Sequence, residues 1–107
     1  MAIGDIIVGM DIGTSKVSIV IGEVNNFNQI EVIYTDSQKC SGIKKGKIID
    51  EDEIVLAVTK LIKNAEIDAN LTINSTYITI PGKYVTIVQN SSVQSKLNNV
   101  KEVKSFL

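Results

Sequence analysis

Arginine and histidine are both missing from this 107-residue chain; all 11 of its cationic side chains are lysine. Without arginine there is no arginine finger and no bidentate guanidinium clamp on a phosphate. Without histidine there is no Ser–His nucleophile pair and no imidazole metal ligand. Cys40 is the single cysteine, so neither a disulfide framework nor a four-cysteine zinc site can be built. With no base to activate it, Cys40 reads as an ordinary thiol rather than a nucleophile. No apolar run approaches the roughly 20 residues of a spanning helix. Nor does the N-terminus carry basic residues ahead of its apolar run, which Asp5 and Asp11 bracket, so it does not read as a signal peptide. The lysines are scattered among 12 acids, and only Lys44, Lys45 and Lys47 cluster, as a solvated loop. That is too little basic surface for a nucleic-acid footprint. N-x-S/T triplets at Asn70, Asn74 and Asn90 would matter only in a secreted protein. What these absences leave is a soluble, reduced, cytoplasmic protein, and 44% apolar residues suffice for a core in a chain one domain long.

The run Ile6-Ile7-Val8-Gly9-Met10 is continuously apolar and predicts a central strand buried on both faces. From Lys16 to Val24 the pattern alternates, with Val17, Ile19 and Ile21 on one side and Ser18, Val20 and Gly22 on the other. Asn25 to Asn28 is a turn cluster, after which Ile30, Val32 and Tyr34 alternate along a third strand. Together these predict an antiparallel meander, followed by a Ser-, Lys- and Gly-rich segment from Ser37 to Lys47. The clearest helix signal comes next. Asp50 is a good N-cap, and Glu53 is placed to reach back to its amide in a capping box. Ile54, Ala57, Val58, Leu61, Ile62 and Ala65 form one apolar stripe, with Lys60 and Lys63 toward solvent and Asn70 as the stop. Thr76 to Ile80 reads as a strand ended by Pro81-Gly82, and a strand–helix–strand unit of this size predicts a parallel crossover. Its far side is expected to be an open edge. Tyr84 to Gln89 reads as a further strand, and Tyr77 and Tyr84 as packing residues. A second amphipathic pattern (Val100, Val103, Phe106, Leu107) begins near Asn98 or Asn99 and stops about two turns in, so the chain reads as a piece of a longer protein.

The segment that carries chemistry is Asp11-Ile12-Gly13-Thr14-Ser15-Lys16, between the first two strands. A tight turn with Gly13 can direct backbone N–H groups toward one point and so hold phosphate oxygens. The Thr14 and Ser15 hydroxyls add donors, Lys16 a cation, and Asp11 a carboxylate able to hold Mg²⁺ through water. Asp-x-Gly-Thr is equally ordinary turn chemistry; the order of the surrounding elements is what favours phosphate binding. Neither the spacing nor a following helix suits a Walker A loop.

Asp11-Ile12-Gly13-Thr14-Ser15-Lys16-Val17 resembles the phosphate-1 motif of the actin, heat-shock-70 and sugar-kinase superfamily. Three further stretches resemble the FtsA family of bacterial cell-division proteins within it: Val20 to Val24, Ser41 to Asp50 and Thr76 to Lys83. The chain departs from the family pattern at Pro81, where Ser is usual, at Tyr84, where His is frequent, and in lacking an arginine near Ser41. The resemblance implies an α/β fold, a ribonuclease-H-like (actin-like) half domain in β-β-β-α-β order. Residues 1–81 would be the subdomain with the phosphate-1 loop, and residues 82–107 the truncated beginning of an inserted α+β subdomain. It implies ATP and Mg²⁺ as cofactors of the intact protein, with Asp11, Gly13, Thr14, Ser15 and Lys16 at the nucleotide and at most weak ATPase activity. It also implies self-association into actin-like filaments and tethering of the FtsZ ring, with other division proteins, to the inner face of the cytoplasmic membrane at the division site. The membrane contact would be made through a C-terminal helix absent from these residues. A sugar kinase of the same superfamily is the alternative, against which the Ser41 to Asp50 segment argues. Whichever parent is right, this piece is expected to have no activity alone.

Overall fold

The computed structural model describes residues 2–45 and 47–79, and of residues 85–89 the strand they form. Pro81-Gly82 and the pattern from Asn98 onward lie outside the described residues. The elements run β1 (Ile6–Ile12), β2 (Lys16–Val24), β3 (Ile30–Lys39), β4 (Ile43–Lys44), β5 (Lys47–Ile48), α1 (Glu51–Asp68), β6 (Ser75–Thr79) and β7 (Val85–Gln89). Five strands form one sheet in the order β3-β2-β1-β6-β7, and β4 and β5 pair as a small hairpin. β1, β2 and β3 make the expected antiparallel meander, whereas β6 pairs parallel to β1, with Gly9, Met10 and Asp11 opposite Tyr77, Ile78 and Thr79. The order β-β-β-α-β with a parallel closing strand is an α/β, ribonuclease-H-like half domain.

The helix forms where its stripe predicts. Asp50 is the N-cap, in extended conformation, and its Oδ1 accepts the Glu53 N–H at 3.1 Å. The reciprocal half of the capping box is not made. Glu53 turns instead to Ser41, accepting its N–H at 2.8 Å and its hydroxyl at 3.2 Å, so the carboxylate ties the connecting segment to the helix. The Asp50 amide is already satisfied by the Gly42 carbonyl, which also accepts from Ile49. Gly42 has to be glycine here: a Cβ would stand 2.6 Å from both the Asp50 carbonyl oxygen and the Ile54 side chain. At the other end Asn70 adopts a positive φ of 53°, and the Leu71 N–H reaches the Glu66 carbonyl, closing a Schellman-type cap.

Ile54, Ala57, Val58, Leu61, Ile62 and Ala65 are all buried against Val8, Met10, Ile12, Val17, Ile19, Ile21 and Ile78. That is one face of the sheet. On the other face Gly9 and Ile7 are half-buried, Val20 is 40% exposed and Tyr77 47% exposed. The expectation that β1 is buried on both faces is therefore corrected. β1 is central in the sheet, but among the described residues only one helix covers it, and that helix covers one side. Tyr77, expected to pack, stands on the uncovered side. Thr76 points into the core instead and is 1% exposed, its hydroxyl satisfied by the Val8 carbonyl at 3.2 Å.

Three further expectations change. β3 runs on to Lys39, into the Ser-, Lys- and Gly-rich segment that begins at Ser37, because it pairs with β2 through to Lys16. It also carries a bulge at Ile33, since Ile21 faces Tyr34 while Gly22 faces Val32. One extra residue inverts the alternation, so Val32 and Tyr34 lie on opposite faces instead of sharing one. Lastly, β6 has no open edge: β7 pairs with it antiparallel from Ser75–Gln89 to Thr79–Val85.

The bulge sets Tyr34 toward α1, where its hydroxyl lies 3.2 Å from Asp68 Oδ2 and 3.4 Å from Asp36 Oδ2. With one proton to give, the phenol bonds the two carboxylates alternately, and Asp68 sits at the helix end where the dipole disfavours an anion. Burial first, and then these carboxylates, push the Tyr34 pKa up to about 12 from the ordinary tyrosine value of 10.0.

Two outcomes follow from this packing. In urea unfolding, Leu61→Ala is expected to cost about 2–5 kcal/mol, whereas Leu56→Ala, at a position 72% exposed, changes stability by less than about 0.5 kcal/mol. In alkali, the unfolded chain releases the Tyr34 proton before the folded one does. The stability Tyr34 contributes is thus complete below about pH 10 and is lost as pH rises toward about 12. A pH series of melting temperatures should show wild type declining more steeply than Tyr34→Phe in that window.

Candidate functional site

The turn between β1 and β2 lies at the carboxyl rim of the central strand. Its shape comes from two backbone bonds. The Gly13 N–H donates to the Lys16 carbonyl at 2.9 Å, and the Ser15 carbonyl accepts the Cys40 N–H at 3.1 Å, which fastens the turn to the end of β3. Gly13 therefore contributes room rather than a donor: a Cβ there would stand 3.1 Å from the Lys16 oxygen and 3.9 Å from Asp11 Oδ2. The backbone N–H groups of Thr14 and Ser15 have no acceptor among the described residues. Both side chains are exposed, as are Lys16 and Asp11.

Antiparallel pairing sets Asp11 opposite Ser18 on the uncovered face of the sheet, and Lys16, two residues earlier on β2, directly opposite Lys39. Like charges facing each other across a ladder repel, so the Lys16–Lys39 pair concentrates positive charge beside the turn. On the other flank the parallel pairing brings Thr79 next to Asp11. The Thr79 hydroxyl donates to Asp11 Oδ1 at 2.6 Å, while Oδ2 has no described partner. Below this rim the uncovered face is hollowed into an open, mainly apolar concavity of about 370 Å³ that reaches Asp11 and Thr79 and is floored by Gly9, Val20 and Tyr77.

The five residues singled out in the sequence thus lie on one turn and its two strand ends. What sequence reasoning missed was supplied by other strands. Thr79 and Lys39 come from β6 and β3, and only register places them at the rim. A threonine next to the end of a strand expected to run parallel to one of the meander was the one available signal for Thr79. Lys39 fell in the Ser-, Lys- and Gly-rich segment, which does not read as a strand, and gave none.

This donor set fits a magnesium nucleotide in its phosphate portion. Two free amides, two hydroxyls and an ammonium suit phosphate oxygens, and one unclaimed carboxylate oxygen suits a metal-bound water. Direct coordination by a cluster is not available: among the described residues no three His, Cys, Asp or Glu side chains gather around a point.

The sheet order and crossover, with a glycine-containing turn at the rim of the central strand, define an actin-like half domain. Its likeness to a solved structure agrees in fold. The ethanolamine utilization protein EutJ from Carboxydothermus hydrogenoformans superposes with a TM-score of 0.63 and 18% identity, over 90% of this chain and 33% of that one. No family model matches the chain. Among curated proteins, the cell division protein FtsA of Pseudomonas aeruginosa is 32% identical over 90 residues, covering 84% of this chain and 22% of its own length. FtsA of Buchnera aphidicola from Acyrthosiphon pisum is 39% identical over 80 residues, and that of Escherichia coli K12 33% over 81, each covering about three-quarters of this chain and 19% of the relative. The chain belongs to the FtsA family over the portion shared, and it spans about a fifth of the length of these relatives.

Proposed function

We propose that this chain supplies one wall, the phosphate-binding wall, of an ATP site in an actin-like cell-division protein. The observation that supports this reading is that one turn at the rim of β1 carries Thr14 and Ser15, whose amides have no acceptor among the described residues, together with Lys16 and the half-committed Asp11 carboxylate. Thr14, Ser15 and Lys16 would bind the phosphate tail, with Gly13 keeping the turn open for it. Asp11 would hold Mg²⁺ through a water molecule, the metal supplying neutralisation of the triphosphate charge.

A site of this kind is a cleft, and the uncovered, hollowed sheet face is a surface that further protein would close. In the intact protein the reading extends to nucleotide-dependent assembly into filaments, and to holding the FtsZ ring at the inner face of the cytoplasmic membrane. Neither role needs more than weak ATP hydrolysis. None of the described helices is long and apolar enough to cross a membrane; the membrane contact in this reading is made by a C-terminal helix outside these residues. The domain reading stands with it: residues 1–81 as the phosphate-1 subdomain and 82–107 as the beginning of an inserted one.

The expected affinity follows from the geometry. A few net hydrogen bonds of about 1 kcal/mol each are set against several kcal/mol lost on association. Residues 1–107 alone should bind Mg·ATP no better than about millimolar by titration calorimetry. The full-length gene product is expected to bind far more tightly and to lose that binding in Asp11→Asn and Lys16→Ala. Micromolar binding by residues 1–107 would contradict the half-site reading. Sugar-dependent ADP release by the full-length product would point to a kinase instead.

A further inference from the structure

Thr79 was not among the residues the turn motif suggested, yet it makes the shortest side-chain hydrogen bond described in the chain. We infer that Thr79 is a positioning residue for Asp11: it holds the carboxylate by Oδ1 so that Oδ2 alone faces the phosphate turn. The role rests on the phosphate-site reading proposed above.

Four observations carry it. Parallel pairing sets Thr79 directly opposite Asp11, on the same face of the sheet and at the same rim. The hydroxyl proton has one short acceptor, Asp11 Oδ1 at 2.6 Å; the other oxygen in reach, the Met10 carbonyl, is 3.5 Å away and competes poorly. An O–H donated to a carboxylate at that separation is charge-assisted and stronger than a neutral bond. Finally, threonine is β-branched, with few χ1 choices on a strand, so the hydroxyl is aimed before any ligand arrives.

The consequence is an asymmetric carboxylate. Oδ1 is occupied and Oδ2 is turned to the side where the absent Cβ of Gly13 leaves room, 3.9 Å from the position such an atom would take. An aspartate held this way loses little rotational freedom on meeting a metal-bound water. A free one would have to be ordered first, and groups that orient a ligand from behind commonly change metal affinity by about tenfold or more.

The test compares Thr79→Val, which keeps the shape and removes the hydroxyl, with Thr79→Ser, which keeps the hydroxyl, in the full-length gene product. ATP binding is measured in EDTA and across a Mg²⁺ titration, with a thermal melt of each variant. Thr79→Val is expected to raise the half-saturating Mg²⁺ concentration about tenfold, to leave ATP binding in EDTA and the melting temperature near wild type, and to be rescued by Thr79→Ser. A wild-type Mg²⁺ requirement in Thr79→Val would overturn the role. So would an equal loss of ATP binding with and without metal, or a serine variant that fails to rescue. The two readings fail differently. Wild-type protein whose ATP binding ignores both Mg²⁺ and Asp11→Asn would remove the phosphate site itself, and this role with it.

Discussion

The parallel pairing of β6 with β1 is the contact on which the rest of the molecule depends. For β6 to lie beside β1 in the same direction, the chain after β3 has to travel back along the whole sheet. α1 is that return path. Its six buried apolar residues are what make the return favourable, because they cover Val8, Met10, Ile12 and the inward side of β2. The same pairing carries Thr79 to the rim where Asp11 ends β1. Packing and site geometry are thus two results of one strand register.

Local interactions hold the pieces of that path in place. Glu53 serves the connecting segment rather than the helix N-terminus, because Gly42 lets the chain pass close enough for its carbonyl to satisfy Asp50 first. Tyr34 reaches the C-terminal end of α1 only because the bulge at Ile33 rotates it there. The turn between β1 and β2 is fastened through Ser15 to the residue that follows β3, Cys40, whose side chain is buried in the core. The Tyr34 and Ser15 contacts join the meander to what comes after it, and the Glu53 contact joins the connecting segment to the helix.

Among the described residues the sheet has one covered face and one uncovered face. Val20 and Tyr77 would not stand exposed beside a concavity of about 370 Å³ in a fully covered α/β unit. That concavity reaches Asp11 and Thr79, so the uncovered face and the rim of β1 are one continuous surface. The continuous apolar run of β1 is written for a strand covered on both sides, while among the described residues only one cover is present.

Much of this was legible without coordinates. The period of 3.6 in α1, the N-cap at Asp50 and the stop at Asn70 are local properties, set by side chains within a few turns of one another, and the sequence alone determined them. It also determined the meander, from alternation and turn residues, and the turn motif at Asp11 to Lys16. What it could not express was anything decided by residues far apart in the chain. The partner of Glu53, the inversion at Ile33, the covering of β6 by β7 and the uncovered side of β1 depend on which surfaces meet. So do the approach of Lys39 to Lys16 and of Thr79 to Asp11, set by ladders joining residues 23 and 68 positions apart. The Thr79–Asp11 pairing exists only after the helix has folded back onto the sheet, and the Lys39–Lys16 pairing only once β2 and β3 have paired in register, so the motif was readable from its own six residues while its supporting groups were not.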